Sequence, residues 1–254
     1  MIGLIRAEII KVTGRKLWWI MTAILVVLLA GTAFVFTVLP NVSPEEFQGM
    51  EAIEKPEAYL FGAGQALGQT WFPLVFAAVL LAGETSSSVW ASSLTRESRR
   101  WMHLVAKLIV TSLASTLAMA VGIAVWGVVT ALFADGAGAP GLAEWLSVAW
   151  KIGLTQVTWV GLAFGTVALF RNMGPAIGVA LGFSFLDGIL SLWDPWTEVS
   201  LSIASTRLVQ DLSSSMGPFV SGIDMGFGQA MSVVFAWTGL GLVLALIGLE
   251  VRDP

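Results

Sequence analysis

The chain has 254 residues and a formal net charge of −4, with 56% hydrophobic and 12% charged residues and a mean hydropathy of +0.83. Soluble domains carry roughly twice that share of charge, so an ordinary soluble globule is excluded and the charge-free stretches read as membrane spans. The absence of cysteine rules out a disulfide framework, thiol catalysis, Fe–S clusters and cysteine-ligated zinc, and the acidic balance gives no support to nucleic-acid binding.

In chain order, Met1 to Lys16 comes first. Ile2, Ile5, Ile9 and Val12 share one helical face while Glu8, Lys11 and Arg15 gather on another, which predicts an amphipathic interfacial helix over 1–16. Apolar runs then predict spans at about 17–39, 60–83, 108–134, 152–170, 174–193 and 229–249, the fifth interrupted by Asp187. Each reaches the ~30 Å of a bilayer core at ~1.5 Å per residue, and nothing alternates with period two as a barrel strand would. Pro40 and acidic residues follow the first run in place of a small-residue cleavage site, so it stays a helix and not a signal peptide. The predicted fold is all-α: a polytopic membrane protein with six transmembrane helices, forming one transmembrane domain over 1–254.

Charge sets the expected orientation. With a cytoplasmic N-terminus, that side collects Arg6, Lys11, Arg15, Lys16, Arg96, Arg99, Arg100, Lys107, Arg171 and Arg252, against Lys55, Lys151 and Arg207 outside. Both termini are therefore predicted to be cytoplasmic. Trp18, Trp19 and Trp101 fall near one interface and Trp145, Trp150, Trp193 and Trp196 near the other. The link of Arg171, Asn172 and Met173 forces the fourth and fifth spans to be antiparallel neighbours. The loop over 194–228 carries Leu201, Ile203, Leu208 and Val209, and reads either as short helices dipping back toward the bilayer or as a structured surface loop.

Catalytic patterns are missing. His103, the single histidine, lies in a basic loop, which leaves no partner set for an intramembrane serine hydrolase or a His-Glu-x-x-His zinc site. No Walker A run is present, and none of the water-channel or potassium-filter motifs. A scaffold with conformational work remains: a transporter subunit, a channel or carrier acting alone, or a non-transporting membrane scaffold.

The segment Glu84 to Lys107 is the only long loop on the predicted cytoplasmic side. Glu84, Ser88, Leu94, Thr95, Arg96, Ser98 or Arg99, Ala106 and Lys107 stand in the places of a Glu-x3-Gly/Ser-x5-Leu-Thr-Arg-x-x-Ser-Arg pattern ending in Ala-Lys, with one residue fewer between Arg96 and Ser98. Together with the interfacial helix and six spans, this resembles the membrane subunit of ABC-2 type transporters. The family often has Pro after the Thr-Arg pair, where this chain has Glu97. The resemblance implies a bacterial inner-membrane exporter permease that is not itself an enzyme. ATP and Mg would be bound by a separate ABC ATPase subunit and no cofactor by this chain. It further implies a dimer with a second permease copy or paralogue, a hydrophobic or amphipathic substrate, and coupling to the ATPase through 84–107, with Glu84, Arg96, Ser98, Arg99 and Arg100 at the contact.

Two features of the fifth span complete the reading. Gly174, Gly178 and Gly182 recur at i, i+4 and i+8, a smooth ridge for helix packing within the subunit or across a dimer, and Gly161 with Gly165 makes a shorter version in the fourth span. Asp187 is read as the only ionisable residue inside a span. Such a carboxylate must face protein or water. It is a candidate for the substrate path or, structurally, an acceptor of hydrogen bonds from a neighbouring span or its own outer loop.

Overall fold

The computed structural model describes residues 2–42, 55–85, 100–136, 138–170, 172–210 and 225–250, and among these the chain is helical with no strand. Helix α1 (Ile2–Gly14) precedes α2 (Lys16–Ala33), which continues through a π-helical turn (Phe34–Val38) into α3 (Leu39–Val42). The wide turn has a local cause. Pro40 has no amide hydrogen to donate, and the Leu39 amide reaches back to the Phe34 carbonyl. There follow α4 (Lys55–Leu67), α5 (Trp71–Thr85), α6 (Arg100–Phe133), α7 (Leu142–Phe170), α8 (Met173–Leu190), the short α9 (Asp194–Thr197), α10 (Leu201–Gln210) and α11 (Phe227–Glu250).

Six helical segments are long and apolar enough to cross a membrane: Lys16–Val38, Glu57–Gly83, Trp101–Phe133, Leu142–Phe170, Met173–Leu190 and Phe227–Gly248. Their surfaces agree. Ile20, Ile24, Val27, Leu113, Leu117, Phe185, Leu186 and Val243 are all exposed, a belt of large apolar side chains that water would not tolerate and lipid does.

Helix α7 is the hub, packed on α5, α6, α8 and α11. Its partnership with α11 is the most extensive and rests on missing side chains. A Cβ at Gly241 would lie 2.6 Å from the Gly161 carbonyl carbon, one at Gly248 would lie 2.7 Å from Ala168, and one at Gly165 would lie 3.0 Å from the Gly241 carbonyl oxygen. Without a hydrophobic drive between helices in lipid, such backbone-to-backbone contact supplies the dispersion energy of association. One apolar core joins α2, α4, α5 and α6, with Leu25, Leu29, Phe72 and Trp126 at its centre. A second joins α5, α7, α8, α10 and α11 around Trp159, Phe164 and Leu201.

Several boundaries differ from the sequence reading. The second span is not continuous: α4 stops at Leu67 and α5 restarts at Trp71. Pro73, in the first turn of α5, lacks the amide that would bond back across the gap. Side chains close the break, with Trp71 Nε1 donating to Gln69 Oε1 at 2.7 Å and the Thr70 and Ser184 hydroxyls 2.7 Å apart. The helix that holds the third apolar run starts at Arg100, ahead of 108, and the helix that holds the fourth starts at Leu142, ahead of 152. Asp187 is also not the only ionisable residue inside a span, because Lys107 and Lys151 are both buried within helices that qualify as spans. Cutting a span at each charge fails when a lysine is buried against a carboxylate or aromatic rings. The Lys151 ammonium lies 5.8 Å from the ring centres of both Trp150 and Phe227.

Within the 194–228 loop, α10 is seated in the bundle against α4, α7, α8 and α11. The Val199 carbonyl accepts from Trp237 Nε1 at 2.8 Å, and Arg207 Nε donates to the Met225 carbonyl at 2.8 Å. Helix α10 therefore runs antiparallel to the first half of α11. Its Leu201, Ala204 and Leu208 are fully buried.

Candidate coupling site at the base of the bundle

Helix α1, the end of α5 and the start of α6 meet at one end of the molecule. The end of α11 comes to this end too, because Gly248 lies against Ala168 near the C-terminus of α7. Two carboxylate oxygens of Glu8 divide between two lysines: Oε2 accepts from Lys107 Nζ at 2.7 Å, and Oε1 from Lys11 Nζ at 2.8 Å. Burial by itself would raise the Glu8 pKa. The Lys107 charge and the hydrogen bonds from Lys107 and Lys11 outweigh it and hold the carboxyl below its ordinary value of 4.5. The Glu8 carboxylate is thus ionised at neutral pH, and the pair is out of contact with most solvent, where its attraction is least screened.

Helical spacing explains why Glu8 reaches α6. Glu8 and Val12, four residues apart, form the buried face of α1, whereas Ile2 and Ile9 are exposed. The apolar stripe of the sequence reading is therefore split: Val12 and Ile5 pack on the bundle with Glu8 beside them, while Ile2 and Ile9 point away. Two tryptophans fix the elbow that follows. Trp18 Nε1 donates to the Ala114 carbonyl of α6 at 3.2 Å, and Trp19 Nε1 to the Thr13 carbonyl at 3.2 Å. The Arg15 guanidinium closes the third side, one of its nitrogens standing 3.9 Å from where a Gly83 Cβ would be.

Of the residues expected at the coupling contact, Glu84 lies in the last turn of α5 and Arg100 opens α6, while Arg96, Ser98 and Arg99 fall outside the described residues. Residues 100–107, expected in the loop, form the first turns of α6. The start of α6 is tied through Lys107 to α1. This short, desolvated ion pair joins the start of α6 to α1, which leads into the α1–α2 elbow. Lys107 was legible only as the closing residue of the loop pattern; its partner Glu8, nearly a hundred residues away, had no sequence signal beyond an acid amid basic neighbours.

Asp187 sits apart from this site. It is fully buried, its Oδ1 accepting from Trp196 Nε1 at 2.9 Å and its Oδ2 from the Ser202 amide at 2.7 Å. The Ser202 amide is one of the orphan donors in the first turn of α10, so Asp187 caps that helix from a neighbouring one. Among the described residues, no neighbouring atom lies within 4 Å of a Cβ at Gly174, Gly178 or Gly182. Helix α8 packs on α5 and α7 through the opposite face, led by Ala176 and Ala180.

Among known proteins there is no match to this chain, either with a protein-family model or with a curated protein.

Proposed function

We propose that the chain is the permease subunit of an ABC-2 type exporter in a bacterial cytoplasmic membrane, with both termini in the cytoplasm. In this reading a separate ABC ATPase subunit binds ATP and Mg, docks on 84–107, and drives a dimer of permeases through a cycle that moves a hydrophobic or amphipathic substrate outward. Glu84, Arg96, Ser98, Arg99 and Arg100 form the contact.

One observation carries the reading: the Glu8–Lys107 ion pair that joins α1 to the start of α6. A protein that receives a mechanical push on a loop needs stiff helices at both ends of that loop and a rigid link onward. Helices α5 and α6 and the buried pair supply both. The exposed Ile2, Ile9 and Ile10 of α1 suit a helix lying in the membrane interface beside that link. The excess of Lys and Arg on this end of the bundle supports a cytoplasmic location.

The test is purification of the tagged full chain from its native membrane and assay of the preparation for vanadate-sensitive ATP hydrolysis. A Walker A-bearing subunit and its activity are expected to co-purify. Arg99→Glu with Arg100→Glu is expected to abolish both while six-span insertion persists. A preparation without ATPase, or one whose ATPase ignores the charge reversal, overturns the proposal.

A further inference from the structure

A groove of about 340 Å³ lies between α6 and α7. Small side chains make it: Ala120, Ala124 and Gly127 on α6 face Ala149 on α7, with Ile123 at the back and Trp145 at the rim. The volume falls in the range of ligand pockets. The lining is almost wholly apolar. Thr116 is the only hydroxyl residue in the lining, and its Oγ1 already donates to the Ser112 carbonyl at 2.8 Å.

Two placements decide what fills the groove. It lies wholly within Trp101–Phe133 and Leu142–Phe170, segments apolar enough to cross a membrane, and it opens sideways through the exposed Ala120, Ala124 and Ala149. Its rims are continuous with the exposed Leu117, Val121 and Val128 of α6 and Leu146 of α7, which belong to the apolar belt. Water gains nothing in a cavity without polar partners. A flexible hydrocarbon chain fills it without leaving any group unsatisfied. Along α6 the groove runs from Thr116 to Gly127, roughly 16 Å at ~1.5 Å per residue, the length scale of one membrane leaflet's hydrocarbon.

The geometry points to a lipid-binding site: the α6–α7 groove holds one acyl chain of a bilayer phospholipid, inserted from the side. The inference does not depend on the ATPase partner, since it concerns the chain in any bilayer.

Reconstitution of the full chain in nanodiscs of phosphatidylcholine carrying a diazirine in one acyl chain, followed by photolysis and mapping of the labelled residues, tests it. Labelling is expected to be several-fold denser on 116–127 and 145–152 than on the exposed α2 face of Ile20, Ile24 and Val27. Ala124→Phe with Ala149→Phe fills the groove, and is expected to reduce that labelling several-fold with α2 labelling unchanged, the latter reporting an intact fold. Should the filled variant misfold, the wild-type map alone decides. Equal density on the groove and on α2 overturns the site. So does protection of the groove by a second copy of the chain, detected as a protein–protein crosslink from a photoreactive residue at position 120 in place of lipid labelling.

Discussion

Gly241 of α11 rests on the backbone of Gly161 in α7, so close that a Cβ on Gly241 would stand 2.6 Å from the Gly161 carbonyl carbon. No rotamer relieves that overlap, because the neighbour is main chain and not the end of a flexible side chain. Gly241→Leu should separate the two helices and cost about 3 kcal/mol or more of stability, the upper end of overpacking penalties. Gly178→Leu, on the ridge with nothing nearby, should leave the monomer's thermal midpoint in detergent within the small range of surface substitutions. Equal destabilisation by the two variants would contradict this assignment of which glycines pack. Any change that Gly178→Leu makes to oligomeric state then reports a contact between copies.

The Glu8–Lys107 pair is expected to behave as a desolvated bond. Glu8→Gln leaves the Lys107 ammonium buried without its carboxylate, a change that costs roughly 3 kcal/mol when one partner of a buried pair is removed. The double variant with Lys107→Met should recover part of that loss, and purely additive effects would show that the pair is not coupled.

Its pH dependence follows from the lowered Glu8 pKa. A depressed carboxyl contributes stability that is present above its unfolded value near 4.5 and disappears as pH falls through the lower folded value. The difference in stability between wild type and Glu8→Gln should therefore be constant from neutral pH down to about 4.5 and shrink only in stronger acid. Shrinkage between pH 7 and 6 would be incompatible with this origin.

At Asp187 both oxygens accept hydrogen bonds, and an amide replaces one acceptor by a donor facing a donor. Asp187→Asn should loosen α10 by about 1–3 kcal/mol, and Asp187→Leu by more. The chain has no cysteine, so a single cysteine at Thr206 reads the docking of α10 directly. Its thiol should react faster in both variants. Unchanged reactivity in Asp187→Leu would mean that the cap does not hold α10.

Orientation is open to the same chemistry. Single cysteines at Glu51 and Ser214 should react with a membrane-impermeant thiol reagent in intact cells, and one at Ser98 only after permeabilisation. The reverse pattern would move the 84–107 segment away from any cytoplasmic ATPase.

Sequence by itself determined the helical class and that six helical segments are long and apolar enough to cross a membrane, because burying backbone amides in lipid leaves a long apolar run no choice but a helix. It also located Gly161 and Gly165, since small residues at a spacing of four mark one helix face. Which ridge packs was decided only in three dimensions: Gly161 and Gly165 meet Gly241 of α11, whereas Gly174, Gly178 and Gly182 have no atom of the described residues within 4 Å of a Cβ. Charges misled the reading where it treated them as span boundaries. Lys107 is buried beside Glu8, and Lys151 beside Phe227 as well as its neighbour Trp150; Glu8 and Phe227 are brought there by packing across long stretches of chain. The break at 68–70 and the seat of α10 beside Asp187 likewise depend on Ser184, Trp196 and Trp237 arriving from other helices. Local periodicity reports how one helix meets an apolar medium, and contacts between distant helices set which of its polar atoms find a partner.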